Sequence, residues 1–164
     1  LVAKQDIITD SYERYGPMVF RRAYSILGNH AEADEATQEV FIRAMNGLEK
    51  FDGRSKMSTW LYRVTTNFCL NKLRDRKRRY ELQKERREPE EPKRSHSVRI
   101  ADQIMLRILL AEADEQQAKA AICVYMDGMS HEEAADVLGV SRRTVGNLLD
   151  RFVSWARKRT VQPP

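Results

Sequence analysis

Residues 130–152 read SHEEAADVLGVSRRTVGNLLDRF, and their spacing decides the fold more sharply than any other stretch of the chain. Ser130 followed three positions later by Glu133 is the reciprocal cap that opens a helix. Ala134, Ala135 and Leu138 give that helix an apolar stripe, and Gly139 breaks it. Ser141 can cap a second helix whose inward positions are Val145, Leu148, Leu149 and Phe152. A small Ala135 four residues before Gly139, with Val145 and Leu148 six and nine after it, suits two short helices crossing closely around a glycine turn. Arg142, Arg143, Thr144, Asn147 and Arg151 are left outward, with Ser141 at the head of the helix. Such a face fits a DNA major groove, where its side chains reach phosphates and base edges. An αα-corner with a solvated basic face shares the outline. The coincidence of caps, glycine turn and basic face where a helix-turn-helix needs them favours DNA binding.

Upstream, no stretch alternates apolar and polar residues as a strand would, whereas period-3.6 patterns recur almost everywhere, so the fold class is all-α. A first helical segment is expected from about Gln5 to Leu27, with Pro17 where a second helix could begin. Gly28 ends it, and Asn29 with Glu32 reads as a cap and its reciprocal partner for a helix reaching about Leu48. Gly47 and Gly53 bracket a loop, after which a helix starts near Ser55 or Ser58 and runs past Arg79. Residues 81–99 are rich in Glu, Lys and Arg, carry Pro89 and Pro92 and have few apolar residues, the composition of a flexible charged linker. Helical periodicity resumes near Ile100, and a helix reaching Met126 stops at Gly128. The expected organisation is therefore two small helical domains, residues 1–80 and 100–164, the second containing the helix-turn-helix.

Charge divides along the same lines. Residues 1–52 carry net −3, residues 53–94 net +8 and residues 95–164 net 0, with the last block polarised toward a basic C-terminal end. Two separate cationic patches point to a polyanion touched twice. In the middle block, Arg63, Asn67, Asn71, Arg74 and Arg78 are spaced by four, four, three and four residues. At about 100° per residue they form one ridge on a helix. Asparagines within an arginine ridge offer paired donors and acceptors to a base, which a solvated lysine face would not. Between Arg63 and Arg79 seven basic residues stand against one acidic, a ratio too lopsided for ion pairing within the helix to explain.

Other functional classes find little support. Cys69 and Cys123 are far apart, without a CxxC pair or a histidine at ligand spacing, and read as small core residues, so neither a metal nor a cofactor is expected. His30, His96 and His131 are scattered, and no carboxylate pair has a basic or metal-ligand companion, so no enzymatic site is expected. No apolar run approaches the roughly 20 residues that span a bilayer. A cytoplasmic protein without membrane insertion is expected. A first residue other than Met points to a trimmed or recoded start.

The stretch Asp34-Glu35-Ala36-Thr37-Gln38-Glu39-Val40-Phe41-Ile42-Arg43-Ala44, then Phe51-Asp52-Gly53, then Ser58-Thr59-Trp60-Leu61-Tyr62-Arg63-Val64-Thr65-Thr66-Asn67, resembles region 2 of bacterial extracytoplasmic-function sigma factors of the sigma-70 family. The downstream helix-turn-helix is similar to their region 4. The resemblance implies a transcription initiation factor that binds core RNA polymerase and promoter DNA, is monomeric when free, and is held by an anti-sigma factor. It implies that Asp34, Glu35, Gln38, Glu39 and Arg43 dock on the polymerase clamp helices. It likewise implies that Asp52, Arg54, Ser55, Lys56 and Met57 belong to the loop capturing a flipped base of the −10 element, with Asn67 lining the pocket and Arg63, Asn71, Arg74 and Arg78 beside it. Ser141, Arg142, Arg143, Thr144, Asn147 and Arg151 match the helix that reads the −35 element. The linker resembles the segment threaded through polymerase channels. Where the family often has a Leu-Pro pair and a following arginine, this chain has Ala113-Asp114 and Ala118, and Gly146 interrupts the recognition helix. The alternative is a repressor or activator that dimerises on intact duplex and reads two half-sites.

Overall fold

The computed structural model describes residues 2–47, 56–84 and 98–161, with side chains described for all of these except residues 2–8 and 98–100. Every regular element among the described residues is helical: α1 (Val2–Leu27), α2 (His30–Gly47), α3 (Met57–Lys84), α4 (Val98–Glu112), α5 (Glu115–Ala121) continued by a π-helical turn (Ile122–Met126), α6 (His131–Leu138) and α7 (Arg142–Val161). The positions Asp52, Arg54 and Ser55, and most of the expected linker, lie outside the described residues. The expected linker begins inside a helix, because α3 continues through Glu81 to Lys84.

One expected break is absent. Pro17 lies inside α1, which runs through it as a single helix. Pro17 faces solvent, so the carbonyl one turn back that loses its amide partner is left on the wet side of the helix. The inward residues Tyr15, Val19, Ala23 and Ile26 keep their helical spacing across it, and packing outweighs the lost bond. The helix ends at Gly28, whose φ is 70°. Arg107 of α4 covers this turn, its Nε donating to the Ile26 carbonyl at 3.0 Å and its Nη2 to the Ser25 carbonyl at 3.2 Å. A Cβ on residue 28 would displace the flexible end of the Arg107 side chain, and it is the left-handed dihedral that favours glycine there.

Asn29 caps α2 through Oδ1, which accepts from the Glu32 amide at 3.0 Å. The reciprocal half of the expected cap is replaced by a longer-range partner, since Glu32 pairs with Arg76 of α3. Val19, Val40, Phe41, Ala44 and Leu61 knit α1, α2 and α3 into a small core. A larger core runs without interruption from Ala23, Ile26, Cys69 and Leu70 to Leu110, Ile122, Ala134, Val145 and Phe152. The two halves thus share one interior.

In the C-terminal half the local signals act as written in the sequence. Ser130 and Glu133 form the reciprocal cap, with the Ser130 amide donating to Glu133 at 2.8 Å and the Glu133 amide to Ser130 Oγ at 3.2 Å. Gly139 takes the left-handed conformation at φ 70°, and Ser141 Oγ accepts from the Thr144 amide at 3.1 Å. Asp114 caps the start of α5, its carboxylate accepting from the amides of Gln116 and Gln117. Ala118 is fully buried.

Glu112 ties three helices together. It pairs with Lys77 of α3 and, at 2.7 Å, with Arg159 of α7. The Arg159 hydrogen bond, aided by Lys77, holds its carboxyl below the ordinary 4.5 against an opposing contribution from burial. A depressed carboxyl stabilises the fold fully above its unfolded pKa, and that contribution is lost as pH falls through the folded value. Glu112→Gln is therefore expected to lower stability at pH 7 and to flatten the acid side of the thermal-denaturation profile below about pH 4.5. Ser130→Ala is expected to cost about 1 kcal/mol in urea denaturation by removing one half of the α6 cap.

Candidate nucleic-acid interface

α7 is built as a two-sided helix. Val145, Leu149 and Phe152 are buried, while Arg142, Arg143, Asn147 and Arg151 are exposed and Thr144 is half-buried. Arg142 lies 3.5 Å from Glu132 across two highly exposed side chains, a contact that a competing phosphate displaces at little cost. Ser141 is committed to capping, its hydroxyl also lying 2.8 Å from the Thr144 hydroxyl. Gly146 sits among these outward residues. Nothing lies within 4 Å of a Cβ placed there, and its φ is not positive, so neither crowding nor dihedral requires glycine within the protein itself.

The ridge on α3 is divided. Asn67, Asn71 and Arg78 are exposed, but Arg63 and Arg74 are half-buried and turned to the C-terminal half. Arg63 donates through Nε to the Val137 carbonyl and through Nη2 to the Asp136 carbonyl at 3.2 Å. Arg74 reaches the Ala113 carbonyl at 3.4 Å and Glu115 at 3.9 Å. Lys56, ahead of α3, is exposed and its carbonyl accepts from the Trp60 amide at 3.1 Å. Met57 begins the helix half-buried.

The imbalance of charge along α3 is largely answered from elsewhere in the fold. Lys72 pairs with Glu35, Arg74 with Glu115, Arg76 with Glu32, and Lys77 with Glu81 and Glu112. Of these carboxylates only Glu81 belongs to α3 itself. Local composition could not reveal ion pairs made with α2, α4 and α5. Arg78 and Arg79 have no ion pair with a described residue, and with Arg43, Phe68, Asn71, Lys72 and Asp75 they line an open groove of about 640 Å³. The Phe68 ring lies under the Arg43 guanidinium at 4.7 Å and within 5.9 Å of Lys72. The cationic surface left free on α3 is therefore narrower than the ridge and lies toward its C-terminal end.

On α2, Asp34, Glu35, Gln38 and Arg43 are exposed and Glu39 half-buried, opposite the buried Ala33, Ala36, Val40 and Ala44. His30 lies 3.1 Å from Asp34, and Arg43 bonds Glu39 at 2.8 Å. Ile42 and Met45 are exposed on the same helix, 52% and 36% accessible. This mixture of charge and exposed apolar side chains fits a protein-docking face, and Ile42 and Met45 extend it beyond the residues expected from sequence.

Arg22 is a residue that sequence reasoning missed. It sits in α1 and is 3% exposed. Its Nε donates to Thr66 Oγ1 at 2.9 Å, its Nη1 pairs with Asp127, its Nη2 lies 3.8 Å from Cys123 Sγ, and its Cζ lies 4.0 Å from the Tyr62 ring centre. Burial pushes the Asp127 carboxyl above its ordinary range, and Arg22 offsets this only in part. Burial likewise pushes the Cys69 thiol up to about 12 and raises that of Cys123, which suits inert core thiols. The only sequence sign of Arg22 was a basic residue at an inward position of α1, next to Ala23.

Comparison with known proteins adds the family context. Residues 11–79 match the family described as Sigma-70 region 2, and residues 109–151 match Sigma-70, region 4. Over 81 residues the chain is 40% identical to the ECF RNA polymerase sigma factor SigW of Bacillus subtilis, covering 49% of this chain and 43% of that one. It is 29% identical over 145 residues to SigE of Mycolicibacterium smegmatis, covering 84% and 55%. The matched stretch spans about half the length of these two relatives. Two solved structures share the fold at 19% identity: CnrH in complex with the cytosolic domain of CnrY, with TM-score 0.56 over 98% of this chain and 91% of that one, and the sigma factor RpoE in complex with the anti-sigma factor NepR from Bartonella quintana, with TM-score 0.54 over 95% and 98%.

The open surroundings of Gly146 give a thermodynamic expectation. Gly146→Ala is expected to raise stability in urea denaturation by up to about 1 kcal/mol, because alanine removes the helix-interior penalty of glycine without a clash.

Proposed function

Because this chain belongs to the sigma-70 family and, within it, to the extracytoplasmic-function RNA polymerase sigma factors, we propose that it joins core RNA polymerase and directs it to promoters by contacting DNA at two places. The outer face of α2, with Asp34, Glu35, Gln38, Glu39 and Arg43, docks on the polymerase. Its exposed Ile42 and Met45 supply apolar area within a charged surround, as an interface with an apolar centre and a polar rim requires. The segment from Asp52 to Met57 and the ridge on α3 engage the −10 element, where trapping an extruded base offsets the cost of unstacking and lets the duplex open without ATP. α7 reads the −35 element as duplex in the major groove.

The single observation that carries this reading is the polarity of α7. Arg142, Arg143, Asn147 and Arg151 all face solvent, while Val145, Leu149 and Phe152 anchor the opposite side in the core. A helix so anchored presents a rigid cationic face, and rigid placement of a few donors is what discriminates base edges. By likeness to CnrH and RpoE, whose structures hold CnrY and the anti-sigma factor NepR, we also assign this chain a protein inhibitor of the anti-sigma kind.

Run-off transcription from a genomic fragment library, with reconstituted core enzyme, tests the assignment. Specific start sites are expected only when the chain is added, and equal initiation by core alone would refute it. Arg143→Glu is expected to lower affinity for the −35 duplex about tenfold or more while leaving polymerase assembly intact. Asn67→Ala is expected to reduce promoter opening, followed by permanganate reactivity of unpaired thymines, while sparing duplex binding. Equal loss in every assay for either variant would mean misfolding instead of a lost contact.

A further inference from the structure

Within α7 a single carboxylate, Asp150, stands among six cationic side chains. It is exposed, and it makes no side-chain hydrogen bond or ion pair with a described residue. The positions one turn to either side are Gly146, Asn147, Val153 and Ser154, so the helix itself offers it no cation. It lies more than two turns into a helix of 20 residues, too far from the N-terminal end for the helix dipole to favour it. Aspartate is also a poor helix former, because its short side chain competes for backbone groups.

Gly146 is a second residue of this kind. It lies one turn before Asp150 and about 40° from it around the helix axis. Neither its dihedral nor its surroundings require glycine, and glycine too weakens a helix interior. Two poor helix formers thus stand a turn apart, and no contact with a described residue compensates either of them. Arg143 lies two turns before Asp150 and about 20° from it around the axis. Asp150 therefore stands on the face assigned above to DNA and not on its flank.

A carboxylate facing phosphates is repelled by them unless a hydrogen-bond donor meets it. In the major groove the donors are the exocyclic amino groups of cytosine and adenine. Adenine places its N7 acceptor beside the amino group, so a carboxylate there meets a second lone pair, whereas cytosine places only a C–H beside its N4. A single methylene joins the carboxylate of aspartate to the backbone, so the helix must come close for it to reach a base edge. The bare surface at Gly146 permits that approach.

We propose that Asp150 selects a cytosine in the −35 element by accepting a hydrogen bond from its N4 amino group, and that Gly146 lets the backbone of α7 approach closely enough for so short a side chain to reach it. The proposal rests on the reading of α7 as the −35 helix. The arginines of α7 supply affinity, and Asp150 supplies discrimination between bases.

The test is selection from duplexes randomised over the −35 element by core enzyme reconstituted with the full chain, followed by sequencing of the bound fraction. The native chain is expected to take cytosine at one position of one strand, about tenfold over other bases. Asp150→Ala is expected to erase the preference at that position alone and to raise affinity for the whole pool a few fold, as repulsion from phosphates is removed. Asp150→Asn is expected to move the preference to adenine, whose N6 and N7 match the acceptor and donor of an amide. Gly146→Leu is expected to weaken binding of the selected duplex about tenfold without lowering the midpoint of urea denaturation. Unaltered preferences in both Asp150 variants would overturn the proposal, as would a uniform loss at every position, or a loss at a position where the native chain takes another base. Full binding by Gly146→Leu would overturn the close approach, and so would a loss matched by a lowered urea midpoint, since Gly146 would then serve the fold. If Arg143→Glu selects the same −35 sequence as the native chain, the reading of α7 itself fails and the role of Asp150 with it. If Arg143→Glu loses that sequence while the Asp150 variants keep it, the proposal fails and the reading of α7 stands.

Discussion

Arg22 enters the interior from α1, where a hydroxyl, a carboxylate, a thiol and an aromatic ring surround its guanidinium and compensate its burial. Two of these, Thr66 and Tyr62, belong to α3, and two, Cys123 and Asp127, to the far half of the chain. An isolated buried guanidinium would be prohibitive, so the position of one side chain obliges the two halves to meet in a fixed register. The apolar core then closes around it. Ala23 and Ile26 lie within one turn of Arg22 in sequence, and they join the same interior as Ile122 and Phe152.

That register explains why the cationic face of α3 is only partly free. Glutamates on α2, α4 and α5 come within reach of its lysines and arginines, and Arg63 and Arg74 are drawn onto backbone carbonyls across the seam. Charge that looks like an uninterrupted binding ridge in one dimension is shared in three between ligand-facing and fold-holding work. α7 differs because Arg142, Arg143, Asn147 and Arg151 face solvent, and among the described residues the one ion pair they make is the exposed contact of Arg142 with Glu132. The two proposed DNA contacts are thus in different conditions, one open to solvent and one with Arg63 and Arg74 engaged by the C-terminal half while Asn67, Asn71 and Arg78 stay exposed.

The helix-turn-helix and its surroundings were legible for a physical reason. A capping box, a left-handed glycine and an i, i+3, i+4 apolar stripe all act within a few residues, and the local geometry they demand does not depend on what packs against it. The ends of α1, α6 and α7 follow directly from Gly28, Ser130, Gly139 and Ser141. Pro17 misled because local propensity cannot know that its unpaired carbonyl would face water while both flanks packed inward. Glu32 misled in the same manner, its carboxylate taken by Arg76 of a distant helix in place of the cap.

What the sequence alone determined is the helical class, the caps and glycine turn of the helix-turn-helix and the outward cationic face of α7, since each depends on side chains within a turn or two of one another. The tertiary structure alone decided which of the charged residues remain available. Ion pairs such as Arg22 with Asp127, 105 positions apart, and hydrogen bonds such as Arg63 to Asp136, 73 apart, join residues whose separation along the chain carries no periodic signal. Their pairing is fixed only when the shared core brings α1, α3 and the helix-turn-helix together and excludes water from between them.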